Sequence, residues 1–178
     1  MDVEQCIETG QSINMDSDPL GKLCHEAHQD AYCKTRGCSG CVKYFAWKLG
    51  VFLPSICDTA DGRANALIDY MKLNWTPITK DQAFFSAKTG KLVVAGKKEE
   101  GHGHVLIILP ALAEPRNPNG KGQQSLVCCS MTMPGMGYAG AIIDANGTVF
   151  DAWGTENGVE YWLSPTGPSA CVGKPLMQ

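Results

Sequence analysis

The chain has 178 residues, 44% of them hydrophobic, and a formal net charge of −3. This length and apolar content suit one ordinary core, so we expect a single catalytic domain over residues 1–178. A pI near 5.8 provides no basic field for a phosphate backbone, so nucleic acid is not an expected partner. Membrane insertion is not expected either, because the longest apolar run, 105–113, contains Pro110 and is far short of the roughly 18 residues of a span.

The cysteine usage and the N-terminus point in different directions. Nine cysteines are many for a reducing cytosol, where disulfides rarely persist. The opening "MDVEQCIETG" nevertheless has acids where a secretory signal would have a basic and then an apolar region. These observations together favour a protein that is exported by a dedicated machine without a cleaved signal peptide.

The first half of the chain predicts helices. Residues 1–33 lack a sustained period, apart from a short helical stretch near "KLCHEAHQDAY". From Cys38, apolar residues recur at helical spacing up to Gly50, which predicts a helix that begins at or just before Cys38. A second helix is predicted before Pro77, and a weaker one near "DQAFFSAK". The stripe of the second helix comprises Ala64, Leu67, Ile68, Met71 and Trp75.

The second half predicts strands. Short β-rich runs alternate with glycine, proline and asparagine, and Asn146-Gly147 is a hairpin signal. The runs are "KLVVAG", "HVLIIL", "SLVCCSMT", "GAIIDA", "TVFDAW" and "VEYWLS". Helices followed by an antiparallel sheet predict an α+β fold, with the N-terminal helices packed on a central sheet.

Cys38 is the candidate nucleophile. A thiol in the first turn of a helix faces unpaired backbone N–H groups and the positive end of the macrodipole, which favours the thiolate. Ser39 and Gly40 are small, so a substrate carbonyl could approach closely, and the Cys38 N–H could donate to an oxyanion. The alternative is a structural role, because cysteine is often buried as a small hydrophobic residue.

A cysteine nucleophile needs a base, and His104 is preferred. It stands at the head of the most apolar strand, which is expected to be rigid and central. His102, two residues earlier among glycines, is expected in the approach loop. A lone cysteine and a lone histidine do not by themselves establish catalysis.

Two other roles use the same cysteines. Cys38 and Cys41 form a C-x-x-C at a helix start, as in thiol redox proteins, although no apolar strand precedes it. A zinc site is the second alternative, but it lacks a regular second ligand pair. Its possible ligands are Cys24, His25, His28, Cys33, Cys38 and Cys41.

The order of motifs resembles the amidase effectors of bacterial type VI secretion, small cysteine hydrolases with an NlpC-like, papain-like fold. The nucleophile motif and its helix are matched by "GCSGCVKYFAWKLGVFLP", and the next helix by "RANALIDYMKLNWT". The strand pair that leads to the histidine is matched by "KLVVAGKKEEGHGHVLIIL". At the ends of the chain the resemblance depends on "EQCI" and Cys171.

The resemblance implies roles for particular residues. Cys38 would be the nucleophile and His104 the base, and a disulfide would join Cys6 to Cys171. Some members orient the imidazole with a cysteine on the following strand, which selects Cys129 here. The alternatives for that third residue are Cys128, Asp144 and Asp151. The sequence departs from the family at Cys41, which we expect not to pair with Cys38, and in its longer tail.

The resemblance also implies a function. The chain would be a peptidoglycan amidase that cleaves stem peptides, at the γ-D-glutamyl–meso-diaminopimelate bond or alternatively at the D-alanyl–diaminopimelate crosslink. It would need no metal or organic cofactor and would act in the periplasm of target bacteria. The implied partners are the peptidoglycan peptide, a cognate immunity protein and a tube or spike component of the secretion machine. A non-enzymatic, disulfide-stabilised module that binds cell wall is the alternative from another class.

Overall fold

A computed structural model describes residues 18–53, 63–116, 118–130 and 147–165 of the chain. The helices in these ranges are α1 (Pro19–Gln29), α2 (Ala31–Lys48), α3 (Arg63–Asn74), α4 (Lys80–Lys88) and α5 (Val149–Trp153). The strands are β1 (Thr76–Ile78), β2 (Val93–Lys97), β3 (His104–Ala113), β4 (Ser125–Cys129) and β5 (Glu160–Leu163). The predicted α+β arrangement is confirmed, whereas the papain-like and NlpC-like comparison stays a prediction.

The strands form one five-stranded sheet in the order β1-β5-β2-β3-β4, and every neighbouring pair is antiparallel. Strand β3 lies between β2 and β4 and is contacted by α2 and α4. Its residues from His104 to Leu109 are all buried, so both faces of the strand are covered here. Position 104 is therefore held on a rigid inner strand, as the sequence predicts.

Pro110 does not end β3, although the sequence suggests an interruption there. The strand continues to Ala113, and its register against β4 shifts between Ile108 and Leu112. A proline cannot donate a ladder hydrogen bond, and such an irregularity is where a strand tolerates it.

The two predicted helices after α2 are present as α3 and α4. The apolar stripe of α3 is buried in the core. Helix α4 begins with a capping box, in which Thr79 accepts from the Gln82 N–H and the Gln82 side chain accepts from the Thr79 N–H. The weak prediction at "DQAFFSAK" is thus confirmed.

One predicted strand is wrong. The run "TVFDAW" forms α5, because Thr148 and Asp151 make a reciprocal capping box and Gly154 ends the helix in the left-handed conformation. Directly after the predicted Asn146-Gly147 hairpin the described residues therefore form a helix and not a strand, and the other predicted strand, "GAIIDA", lies outside the described residues. Strand β1 was not predicted, since its three residues include Pro77. Within the described ranges, no helix combines the length and apolar character needed to cross a bilayer.

Candidate active site

A break in α2 places Cys38 at the start of a helical segment. Gly37 has φ 62° and ψ −143°, a conformation that residues with a Cβ rarely adopt. The segment from Cys38 to Lys48 therefore starts afresh after Gly37, in agreement with the predicted start. The helical residues from Ala31 to Arg36 that precede the break were only partly predicted.

The structure brings Cys38 and His104 into contact. Cys38 is a partly exposed, unbonded thiol, and the buried His104 ring is within hydrogen-bonding reach of its sulfur. Burial of the sulfur alone would raise its pKa. The opposing charge of His104, together with hydrogen bonds from the His104 ring, the Val105 N–H and the Ser39 hydroxyl, outweighs this effect and lowers the pKa of Cys38 below its usual value. The sulfur is thus prepared to act as a thiolate.

Ser130 also contacts the His104 ring. Its hydroxyl donates to the Val105 carbonyl, with an Oγ–O distance of 3.1 Å, and its Oγ lies 3.4 Å from His104 Nε2. Because the one hydroxyl hydrogen is used on Val105, the oxygen faces the ring as an acceptor. This contact favours the proton on Nε2 and fixes the orientation of the ring.

Trp153 also borders the histidine. Its ring meets the His104 ring edge to face, with the centroids 5.7 Å apart and the planes at 72°. Sequence reasoning missed both Ser130 and Trp153. The T-x-x-D capping signal at Thr148 would have revealed helix α5, which carries the tryptophan.

Cys129, the predicted third catalytic residue, forms a disulfide with Cys24. A bonded sulfur has no S–H to donate and cannot carry a thiolate charge, so Cys129 does not fit the orienting role in this structure. Successive residues along a strand point to opposite faces, which explains why Ser130, the residue directly after β4, contacts the imidazole instead.

The alternatives for the third residue have other contacts. The buried Cys128 thiol donates to the Gly147 carbonyl across 3.6 Å. Burial, and then the nearby charge of Asp151, raise the Cys128 pKa well above its usual value. Asp151 caps α5 by accepting from the Thr148 N–H and hydroxyl. Asp144 lies outside the described residues.

The loop that leads to His104 is tied to α3. The Asn65 side-chain amide donates to the Glu99 carbonyl across 2.8 Å, and its Oδ1 accepts from the Glu99 N–H across 3.4 Å. At Gly103, an added Cβ would lie 2.1 Å from Asn65 Oδ1. Any residue other than glycine would therefore displace the Asn65 side chain or the loop backbone. The exposed His102 lies in this loop, and the preference for His104 agrees with its contact with Cys38.

The C-x-x-C cysteines are not bonded to each other. Cys38 and Cys41 are both free thiols, which confirms the prediction that they do not pair.

Of the possible zinc ligands, Cys24 and His28 lie together with Cys129, whereas His25 is exposed. The predicted Cys6–Cys171 disulfide lies outside the described residues, as does Cys57.

The fold is α+β, and the site is a thiol–imidazole pair of the kind that nucleophilic catalysis requires. No protein-family model matches the chain. Among curated proteins, the chain is 37% identical over 73 residues to the peptidoglycan amidase Tse1 of Pseudomonas aeruginosa, a match that covers 40% of this chain and 44% of Tse1. The chain therefore aligns with less than half the length of this relative.

Proposed function

We propose that this chain is a peptidoglycan amidase of the cysteine hydrolase class. The observation that carries the proposal is the contact between the thiol of Cys38, a partly exposed residue, and the buried His104 imidazole, together with the lowered Cys38 pKa. The partial similarity to a peptidoglycan amidase supports the substrate class. A single catalytic domain over residues 1–178 is part of the same proposal.

The geometry supports a two-step mechanism. The Cys38 thiolate attacks the amide carbonyl carbon, and His104 protonates the leaving amine as the C–N bond breaks. The neutral imidazole then takes a proton from water, whose oxygen attacks the thioester carbonyl; the C–S bond breaks, the carboxylic acid leaves, and the Cys38 thiolate and protonated His104 are restored. Ser130 is a positioning residue in this scheme, because it contacts the ring rather than the substrate.

The proposals for the cleaved bond, the delivery route and the protecting partner follow from the motif resemblance. The bond cleaved would be γ-D-glutamyl–meso-diaminopimelate, with the D-alanyl–diaminopimelate crosslink as the second choice. The protein would be delivered by a type VI secretion tube or spike into the periplasm of target cells. A cognate immunity protein would protect the producing cell.

The test uses purified muropeptides. Mass spectrometry of the products identifies the cleaved bond, and new amine groups measure the rate. We expect Cys38→Ala to lose at least about 10³-fold in activity, as removal of a nucleophile does. The matched control is Cys33→Ala, which removes another free thiol from the same helix and should stay active. Activity that survives in Cys38→Ala would refute the mechanism, and wall binding without cleavage by the parent protein would favour the binding module.

A further inference from the structure

A second group of sulfur and nitrogen atoms lies apart from the Cys38–His104 pair. Cys24 and His28 are one turn apart on α1, and Cys129 reaches them from β4. His28 Nε2 lies 3.9 Å from Cys24 Sγ and 3.8 Å from Cys129 Sγ. The three donor atoms are all within 4.8 Å of one another. We call these residues the α1–β4 cluster.

Two of the three distances in the cluster are close to those of a tetrahedral zinc site. With Zn–S about 2.3 Å and Zn–N about 2.0 Å, two sulfur ligands are about 3.8 Å apart and a sulfur and a nitrogen about 3.5 Å apart. Both measured sulfur–nitrogen distances, 3.9 and 3.8 Å, are within a few tenths of an ångström of that value. Once the disulfide is reduced, the two sulfurs need only move from bonding distance to van der Waals contact.

A fourth donor stands next to the cluster. Cys41 is a free, buried thiol whose Sγ lies 3.9 Å from Cys129 Sγ. Three sulfurs and one imidazole nitrogen are a ligand set that zinc selects for closed structural sites. The sulfurs of Cys24, Cys41 and Cys129 are all on fully buried residues, so a metal here would be shielded from water.

We propose that these residues form two alternative crosslinks between α1 and β4. In the oxidised protein the crosslink is the Cys24–Cys129 disulfide, and in the reduced protein it is one zinc ion held by Cys24, His28 and Cys129 with Cys41 in the fourth position. The zinc form would join the same elements in a compartment where the disulfide does not persist. The site is independent of the proposed hydrolase activity, and only the change of compartment depends on the proposed export.

The change from the disulfide form to the zinc form requires a reductant, and a dithiol can supply the two electrons. The dithiol is oxidised to its own disulfide and leaves thiols on Cys24 and Cys129. Zinc then binds the sulfurs of Cys24, Cys41 and Cys129 as thiolates and releases three protons to solvent. Oxidation by a disulfide of the surrounding medium reverses the sequence, because formation of the Cys24–Cys129 bond removes two ligands and frees the ion.

The test measures metal content in the full chain. The protein carries Cys38→Ala, so that the Cys38–His104 pair cannot bind the metal, and is reduced anaerobically with a phosphine. After addition of zinc and gel filtration, the reduced form should retain about one zinc per chain and the oxidised form essentially none. Cobalt(II) in place of zinc should give the thiolate charge-transfer and tetrahedral d–d bands, and Cys41→Ser should weaken the charge-transfer band.

Two histidine variants on the same helix provide the matched comparison. Outer-shell substitutions cost about 10- to 100-fold in metal affinity, so His28→Ala, which removes a ligand, should cost at least about 100-fold. His25→Ala removes an exposed histidine three residues earlier and should bind zinc like the parent. Equal affinity in both variants would overturn the proposal, as would a reduced parent that retains no zinc or shows no tetrahedral cobalt spectrum. Neither result depends on whether muropeptides are cleaved.

Discussion

Two cysteines one helical turn apart on α2 have opposite chemical environments. Cys38 is a partly exposed residue, and the contacts of its sulfur with His104, Val105 and Ser39 favour the thiolate. Cys41 is buried, and its pKa is raised well above the usual value, first by burial and then by the negative charges that neighbouring cysteines would carry. A C-x-x-C spacing therefore does not decide the reactivity of its cysteines. The partners that the sheet brings to each sulfur decide it.

Loss of the Cys24–Cys129 disulfide, which lies next to Cys41, should change the protein most. The Cys24–Cys129 bond closes a loop with a sequence separation of 105. A loop of that length is worth up to about 4.7 kcal/mol in the chain-entropy model, and typical disulfides contribute about 2–4 kcal/mol. We expect Cys24→Ala with Cys129→Ala to lower the melting temperature of the metal-free protein by about 5–15 °C. Calorimetry of the oxidised proteins measures this difference.

Calorimetry with and without a reductant distinguishes the contributions of the Cys24–Cys129 disulfide and the predicted Cys6–Cys171 disulfide. A reductant should lower the melting temperature of the parent. Any reductant effect that remains in the Cys24→Ala, Cys129→Ala protein would belong to the predicted Cys6–Cys171 bond, and Cys6→Ala with Cys171→Ala should remove it. A double variant at Cys24 and Cys129 that melts like the parent would contradict the stabilising role of the observed disulfide.

The next prediction concerns the support of His104. Loss of the buried Ser130 contact should cost about 1–3 kcal/mol, so Ser130→Ala should lower kcat about 10- to 100-fold with little change in KM. Ser130→Thr, which keeps the hydroxyl, should restore part of the activity. Ser164→Ala changes another buried serine and serves as the control. Unchanged kcat in Ser130→Ala would show that the imidazole is oriented by other contacts.

Gly37 tests whether the helix break sets the position of Cys38. A residue with a Cβ at φ 62° and ψ −143° is strained, so Gly37→Ala should destabilise the fold by about 1–3 kcal/mol and displace the thiol. Gly90→Ala is the matched control, because Gly90 also has a positive φ, of 74°, with nothing within 4 Å of an added Cβ. Urea denaturation should show a loss in both variants, but activity should fall only in Gly37→Ala. Full activity in folded Gly37→Ala would refute the positioning role.

The smallest effect is a difference in alkylation rate. Only the thiolate reacts, so the lowered pKa means that Cys38 stays reactive below the usual thiol range and loses reactivity only as the pH falls through its own pKa. We expect iodoacetamide at pH 7 to label Cys38 more than about tenfold faster than Cys41, measured by peptide mass spectrometry. His104→Ala should shift the labelling profile of Cys38 to higher pH. Equal labelling rates for Cys38 and Cys41 would contradict the predicted difference in thiol reactivity.

The features that depend only on residues close together in the chain could be predicted from the sequence. Helical spacing after Cys38, the stripe of α3 and the apolar run of β3 predicted elements that the structure contains. The same local information failed at "TVFDAW", because β-branched and aromatic residues favour a strand while the Thr148–Asp151 capping box stabilises a helix. The choice of His104 was possible because a buried central strand is a rigid place for a base.

The partner of each sulfur, in contrast, depends on contacts between elements that are distant in the chain. Cys129 and Ser130 are adjacent in sequence, yet one joins Cys24 and the other contacts His104. That outcome depends on the register of β4 and on the packing of α1 beside it. Cys24 and Cys129 are 105 positions apart in the chain, so no local pattern connects them. A one-residue change of register moves a side chain to the other face of the sheet, and the composition of "VCCS" contains no information about that register.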